Sequence, residues 1–79
     1  MPASGARTRA TPVLRAGDSG RPVTKLQKEL IEAGFSVLVD GKFGEYTKSA
    51  VIAFQVRHGL PADGVVGQST WDALKADTG

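Results

Sequence analysis

The sequence contains no cysteine and a single histidine, His58. The first absence excludes a disulfide framework and a thiolate zinc site. The second leaves His58 without a further imidazole or thiolate to share a zinc ion, so a catalytic zinc site is not expected. No apolar run approaches the roughly 20 residues of a membrane span. Residues Met1–Pro12 lack the apolar stretch of a secretory signal, so any export signal is expected to be absent from this chain. Aromatic residues are few: three Phe, one Tyr and one Trp. A basic stripe is also missing from the part able to fold. Residues 1–22 carry four arginines against Asp18, whereas residues 23–79 carry six Lys/Arg against seven Asp/Glu. A nucleic-acid reader would show its positive charge on the folded face, so nucleic acid is not an expected partner.

Catalytic constellations are lacking too. Ser4, Ser19, Ser36, Ser49 and Ser69 have no nucleophile-elbow context. Asp40 and Asp63 each precede a glycine, and turn chemistry accounts for them better than a carboxylate pair does. Gly41 and Gly44 are followed by no Lys-Ser/Thr, which a phosphate-cradling loop requires. The expectation is a protein that is not an enzyme and needs no cofactor or metal.

The chain of 79 residues has room for one domain. Residues 1–12 show no apolar period and read as a disordered linker or tail, leaving a domain over 13–76. A first helix starts at Arg21–Pro22, where proline's missing N–H costs nothing. Val23, Leu26, Gln27, Leu30 and Ile31 make its inner stripe, and Gly34 caps it. Phe35 to Val39 is either a short extended segment or a packed loop. Gly44 opens a second helix with Thr47, Ala50, Val51, Phe54 and His58 on one face, and Gly59 ends it. His58 is expected to be partnered and partly buried. Gly67 opens a third helix, buried through Thr70, Trp71, Ala73 and Leu74. The fold class is all-α, a compact three-helix bundle.

An internal repeat organises this bundle. The block Asp40-Gly41-Lys42-Phe43-Gly44 through Thr47, Ala50 and Val51 matches Asp63-Gly64-Val65-Val66-Gly67 through Thr70, Ala73 and Leu74, at an offset of 23. Each copy is a D-G-x-x-G turn feeding a helix. The Asp bonds its own backbone two residues on, the first Gly takes a positive φ, and the apolar residue before the second Gly plugs the core. Leu26-Gln27 and Phe54-Gln55 form a second echo, and their glutamines are expected to brace the turns through backbone hydrogen bonds.

These residues resemble the peptidoglycan-binding domain family, a three-helix module of cell-wall lytic enzymes. Leu14-Arg15-x-Gly17-x-Ser19-Gly20 with Val23-x-x-Leu26-Gln27-x-x-Leu30-x-x-x-Gly34 resembles its opening. Asp40-Gly41-x-Phe43-Gly44-x-x-Thr47 with Ala50-Val51-x-x-Phe54-Gln55 resembles its centre, and His58-Gly59-Leu60-Pro61-x-Asp63-Gly64-x-x-Gly67-x-x-Thr70-Trp71-x-x-Leu74 its close. The resemblance spans residues 13–75. It departs at Glu45, where relatives often carry proline, and at Ile52 and Val56, where the helix exterior is usually charged.

The resemblance implies non-catalytic binding of bacterial peptidoglycan, glycan strand and stem peptide, targeting a linked cell-wall hydrolase from a monomeric module. The implied location is the cell wall, periplasm or extracellular space. The alternative is a protein-interaction or prodomain-like module docking on a partner enzyme, for which the Ile52/Val56 pair speaks. Trp71 is expected in the core and Tyr46 on the surface. The candidate ligand site surrounds the first turn at Asp40, Lys42, Phe43, Gly44 and Tyr46, with Gln55 and Arg57 nearby on the second helix.

Overall fold

The structure, a computed structural model, describes residues 12–78. Residues 1–11 of the expected tail lie outside the described residues, as does Gly79. Three helices follow in order: α1 (Arg21–Glu32), α2 (Glu45–Arg57) and α3 (Gln68–Thr78). α1 packs against both others. No strand forms among the described residues, and no described helix is long and apolar enough to cross a membrane.

Helix starts and stops follow local chemistry. Pro22 sits in the first turn of α1, behind Gly20, whose carbonyl receives the Val23 and Thr24 N–H groups at 3.1 Å each. Glu45 opens α2 and Arg57 closes it, each opposite in sign to the dipole end it faces. α1 and α2 end identically. The Phe35 N–H reaches back to the Leu30 carbonyl and the Gly34 N–H to Ile31. Likewise Leu60 donates to Gln55 and Gly59 to Val56. Both are Schellman closures, which need a left-handed residue; Gly34 and Gly59 supply it with φ of 100° and 69°.

The core is the predicted one. Leu26, Leu30, Val51, Phe54, Val66 and Leu74 are fully buried, and Phe43 and Trp71 nearly so. Removing each such side chain from water contributes about 1.5–3 kcal/mol. Phe43 and Val66 are the plugs of the two turns. Phe35 meets Phe54 edge-on, with ring centroids 5.9 Å apart at 76°. The segment after α1 is a packed loop: Phe35 and Val37 lie against the core, while Leu38 and Val39 face outward.

One expectation about the core changes. Ile31 does not join the inner stripe of α1 and is 46% exposed. At 3.6 residues per turn it lies about 80° round from Val23, past the edge that α2 and α3 cover. The Ile52/Val56 pair divides: Ile52 is half-buried near the second turn, where its Cγ1 lies 3.5 Å from the position a Gly64 Cβ would take, and Val56 is 65% exposed. His58 is partnered as expected. Its ring tilts over Phe54 at 4.2 Å, its Nε2 is 3.5 Å from the Asp77 carboxylate, and 29% of its side chain stays exposed at the rim.

The segment before α1 ties the two turns together. Leu14 exchanges backbone hydrogen bonds with Val66 at 3.1 and 2.8 Å. Further on, Gly17 donates to Phe43, Phe43 to Asp18, and Gly20 to Gly41, each at 2.9 Å. The loop backbone is therefore hydrogen-bonded although it lies outside any helix.

Phe54 touches the rings of Phe35 and His58 from the centre of this core. Phe54→Ala should cost about 3–5 kcal/mol. In urea unfolding the midpoint should drop by most of the stability a domain of this size has; a midpoint close to wild type would contradict the packing described.

Candidate functional site

The two turns are built around buried glutamines. Gln27 and Gln55 are each 1% exposed. The Gln27 Oε1 accepts from the Asp40 and Gly41 N–H groups at 3.1 and 2.9 Å. Its Nε2 faces the Asp40 Oδ1, the Lys42 carbonyl and the Thr47 hydroxyl at 2.9, 3.0 and 3.1 Å. Gln55 repeats this at the second turn. Its Oε1 accepts from Gly64 at 3.0 Å, and its Nε2 faces Asp63, the Val65 carbonyl and the Thr70 hydroxyl. In both turns the Asp carboxylate also receives the N–H two residues on, from Lys42 at 3.0 Å and Val65 at 2.9 Å. Gly41 and Gly64 hold φ of 73° and 75°, the left-handed values the repeat called for.

This geometry sorts the seven sequence-predicted residues. Asp40, Lys42, Gly44 and Tyr46 line one small groove of about 70 Å³, together with Leu38, Glu45 and Thr47. Tyr46 is 84% exposed and Leu38 73%, so two apolar surfaces flank a rim carrying Lys42 and Glu45. Phe43 faces inward as the core plug and offers a ligand almost no surface. Gln55 lies at the second turn, not the first, because its amide is spent on Asp63, Gly64, Val65 and Thr70. Arg57 is also elsewhere: its guanidinium sits 5.6 Å over the Phe35 ring, at the far end of α2. Leu38 and Glu45 were not named from the sequence. Leu38 belongs to an apolar loop run in which Phe35 and Val37 pack inward while Leu38 and Val39 face out, and Glu45 occupies a helix start where charge favours it regardless of ligand.

A second groove of about 220 Å³ adjoins the second turn, lined by Asp63, Val65, Gly67 and the first residues of α3, with Gln55, Leu60 and Pro61. Trp71 supplies no open stacking face. It is 6% exposed, its indole N–H donates to the Pro12 carbonyl at 2.8 Å, and the Lys25 ammonium lies 5.8 Å from its ring. No group of three or more His, Cys, Asp or Glu among the described residues could hold a metal ion.

Comparison with known proteins decides the family. The profile described as "Putative peptidoglycan binding domain" matches residues 19–74. The chain belongs to the peptidoglycan-binding domain family. A protein named "Probable N-acetylmuramoyl-L-alanine amidase" from Bacillus licheniformis is 45% identical over 67 residues, 81% of this chain and 19% of its own length. A spore cortex-lytic enzyme of Bacillus cereus is 44% identical over 63 residues, 78% of this chain and 24% of its own. The chain thus spans about a fifth of the first of these relatives and about a quarter of the second. Among solved structures, the SleB N-terminal domain superposes with a TM-score of 0.84 at 39% identity, covering 89% of this chain and 97% of that one. The endolysin of Burkholderia phage AP3 gives 0.81 at 48% identity, over 82% of this chain and 25% of the endolysin.

The braces of this peptidoglycan-binding domain carry two tests. Gln27→Leu or Gln55→Leu leaves turn N–H groups without acceptors, and each orphaned buried group costs about 1–3 kcal/mol. Either variant should unfold at lower urea than wild type: Gln27→Leu strands two part-buried N–H groups and Gln55→Leu one fully buried one.

The carboxylates give a pH dependence. The Gln27 amide, then the Lys42 N–H, holds the Asp40 carboxyl below its ordinary value. The Val65 N–H, with the Gln55 amide, does the same for Asp63. A lowered folded pKa means the stabilisation is complete above the unfolded value of about 3.9 and fades as pH falls through and below it. Asp40→Asn with Asp63→Asn keeps an acceptor oxygen but removes the titration. Between pH 5 and 3 the double variant's melting temperature should fall less than that of wild type.

Proposed function

We propose that this domain holds the peptidoglycan polymer through the groove of its first turn and so targets an attached or associated cell-wall hydrolase to its substrate. The observation that carries the reading is that Asp40, Lys42, Gly44 and Tyr46 meet in one groove, beside an exposed Leu38. That lining suits a polymer bearing sugar rings, amides and free carboxylates. The Tyr46 ring offers a flat face to a sugar. The Lys42 ammonium pairs with a stem-peptide carboxylate through a charge-assisted bond. Gly44 leaves the backbone open, since a Cβ there would meet nothing within 4 Å. The module works as a monomer at the cell wall and performs no chemistry of its own. Relatives such as the amidase and the cortex-lytic enzyme are several times longer than this chain, which supports a division between a binding part and a catalytic part.

A groove this shallow buries little ligand, so affinity for one muropeptide is weak. Tethering compensates by raising the effective concentration of a linked enzyme at the wall. Purified domain should sediment with insoluble peptidoglycan sacculi and not with cellulose. Tyr46→Ala should reduce retention about fivefold to tenfold, the size of one aromatic contact, with the melting temperature nearly unchanged. Full retention by that variant would remove the first groove from the binding surface. Retention only on an added protein partner would instead favour a prodomain-like docking module.

A further inference from the structure

The groove at the second turn is the groove at the first, repeated. At the offset of 23, Asp40, Lys42 and Gly44 stand where Asp63, Val65 and Gly67 stand. Glu45, Tyr46 and Thr47 correspond in the same way to Gln68, Ser69 and Thr70, and Leu38 to Pro61. Every position lining the first groove therefore lines the second. The second adds Gln55 and Leu60 and encloses about three times the volume, 220 against 70 Å³.

The glycines at the floor point to a ligand. Gly44 and Gly67 are not in the left-handed region, and a Cβ on either would meet no protein atom within 4 Å. Neither backbone conformation nor packing asks for glycine there. Each carbonyl accepts the first helical N–H, from Lys48 at 2.9 Å and Trp71 at 3.0 Å, so each residue heads its helix. Ser, Asp or Asn would cap those helices at least as well. A bare backbone does serve a molecule that comes close to it, and it is kept in both copies.

The chemistry of the two grooves differs at the variable positions. The first has three charged groups, Asp40, Lys42 and Glu45. The second has one, Asp63, and no cation; Val65, Gln68 and Ser69 replace Lys42, Glu45 and Tyr46. A free carboxylate placed there would face Asp63, while the Lys48 side chain packs against Gly64, its Cε 3.2 Å from the position a Cβ would take, and does not line the groove. The apolar wall of Leu60, Pro61 and Val65 suits a methyl group, and the exposed Ser69 hydroxyl suits an amide or sugar hydroxyl. The volume lies below the ~300–1,000 Å³ of sites for drug-sized ligands, which limits the occupant to about one sugar.

We infer that the second groove is a separate subsite for one uncharged acetamido sugar of the glycan strand. This rests on the wall-polymer reading and deepens it: the first groove takes the charged peptide-bearing part of the polymer, the second a neutral sugar. Two weak subsites on one polymer multiply its residence without any deep pocket.

The test is amide NMR of the ¹⁵N-labelled chain titrated with the trimer of N-acetylglucosamine, with the glucose trimer cellotriose, which lacks the acetamido group without adding charge, and with free stem peptide. The acetylated trimer should shift residues 60–70, cellotriose should do so at least tenfold more weakly, and stem peptide should shift 38–47. Val65→Lys with Ser69→Tyr installs the side chains of the first repeat and should abolish the response at 60–70. Ser69→Tyr alone serves if the double variant melts early. Absence of shifts at 60–70 in the wild type, or equal shifts from both trimers, overturns the inference. If sacculi still sediment the domain in that case, wall binding stands and only the second subsite falls. Sugar-induced shifts at 60–70 without sedimentation would keep the subsite and remove the wall polymer as its source.

Discussion

One interaction recurs at both glycine turns of this domain: a buried glutamine amide pressed into the backbone of the turn. A D-G turn on its own is a weak structure, with polar groups that water would otherwise satisfy. Gln27 and Gln55 take over that role from inside the core. Each glutamine offers an acceptor and a donor pair on one rigid plane, matching a turn that presents N–H groups on one side and oxygens on the other. Because the amide is anchored on a packed helix, the turn inherits the helix's position. The loops that carry the candidate binding surface are thereby held by the core, although they contain no helix or strand of their own.

This arrangement explains why so much of the fold was legible in the chain. The positions that matter are fixed in both backbone and side-chain terms: Gly41 and Gly64 by φ, Phe43 and Val66 by burial, Gln27 and Gln55 by hydrogen bonds. Residue types meeting such demands are few, and their spacing repeats. Ile31 was misplaced because helical periodicity gives the centre of a stripe and not its edges; where burial stops depends on how far α2 and α3 reach. The exposed Leu38 could not be separated from the packed Phe35 and Val37, since a loop lacks a fixed period.

The candidate site was legible only in part, for a related reason. Turn residues next to one another in sequence, Asp40 through Tyr46, stay together in space. Gln55 and Arg57 were grouped with them from their place on α2. Side chains on one helix point in directions set by residue number, and two residues apart is more than half a turn. Gln55 consequently reaches the second turn while Arg57 lies on Phe35. Phe43 sits among accessible neighbours but alternates inward. The correspondence between the two grooves was latent in the repeat, yet it needed coordinates, because sequence alone does not say that a turn copied twice leaves a hollow twice.

The ties at the start of the described chain bear on mechanics. The Pro12 carbonyl receives the Trp71 indole, and Leu14 is bonded both ways to Val66. A pull along the chain from upstream of Pro12 is therefore borne first by α3 and the second turn, and α1 feels it only after those bonds part. The segment acts as a strain relief. Load entering at that point reaches the Val66 turn before the Gln27-braced first turn, so the two copies of the repeat differ in what they bear.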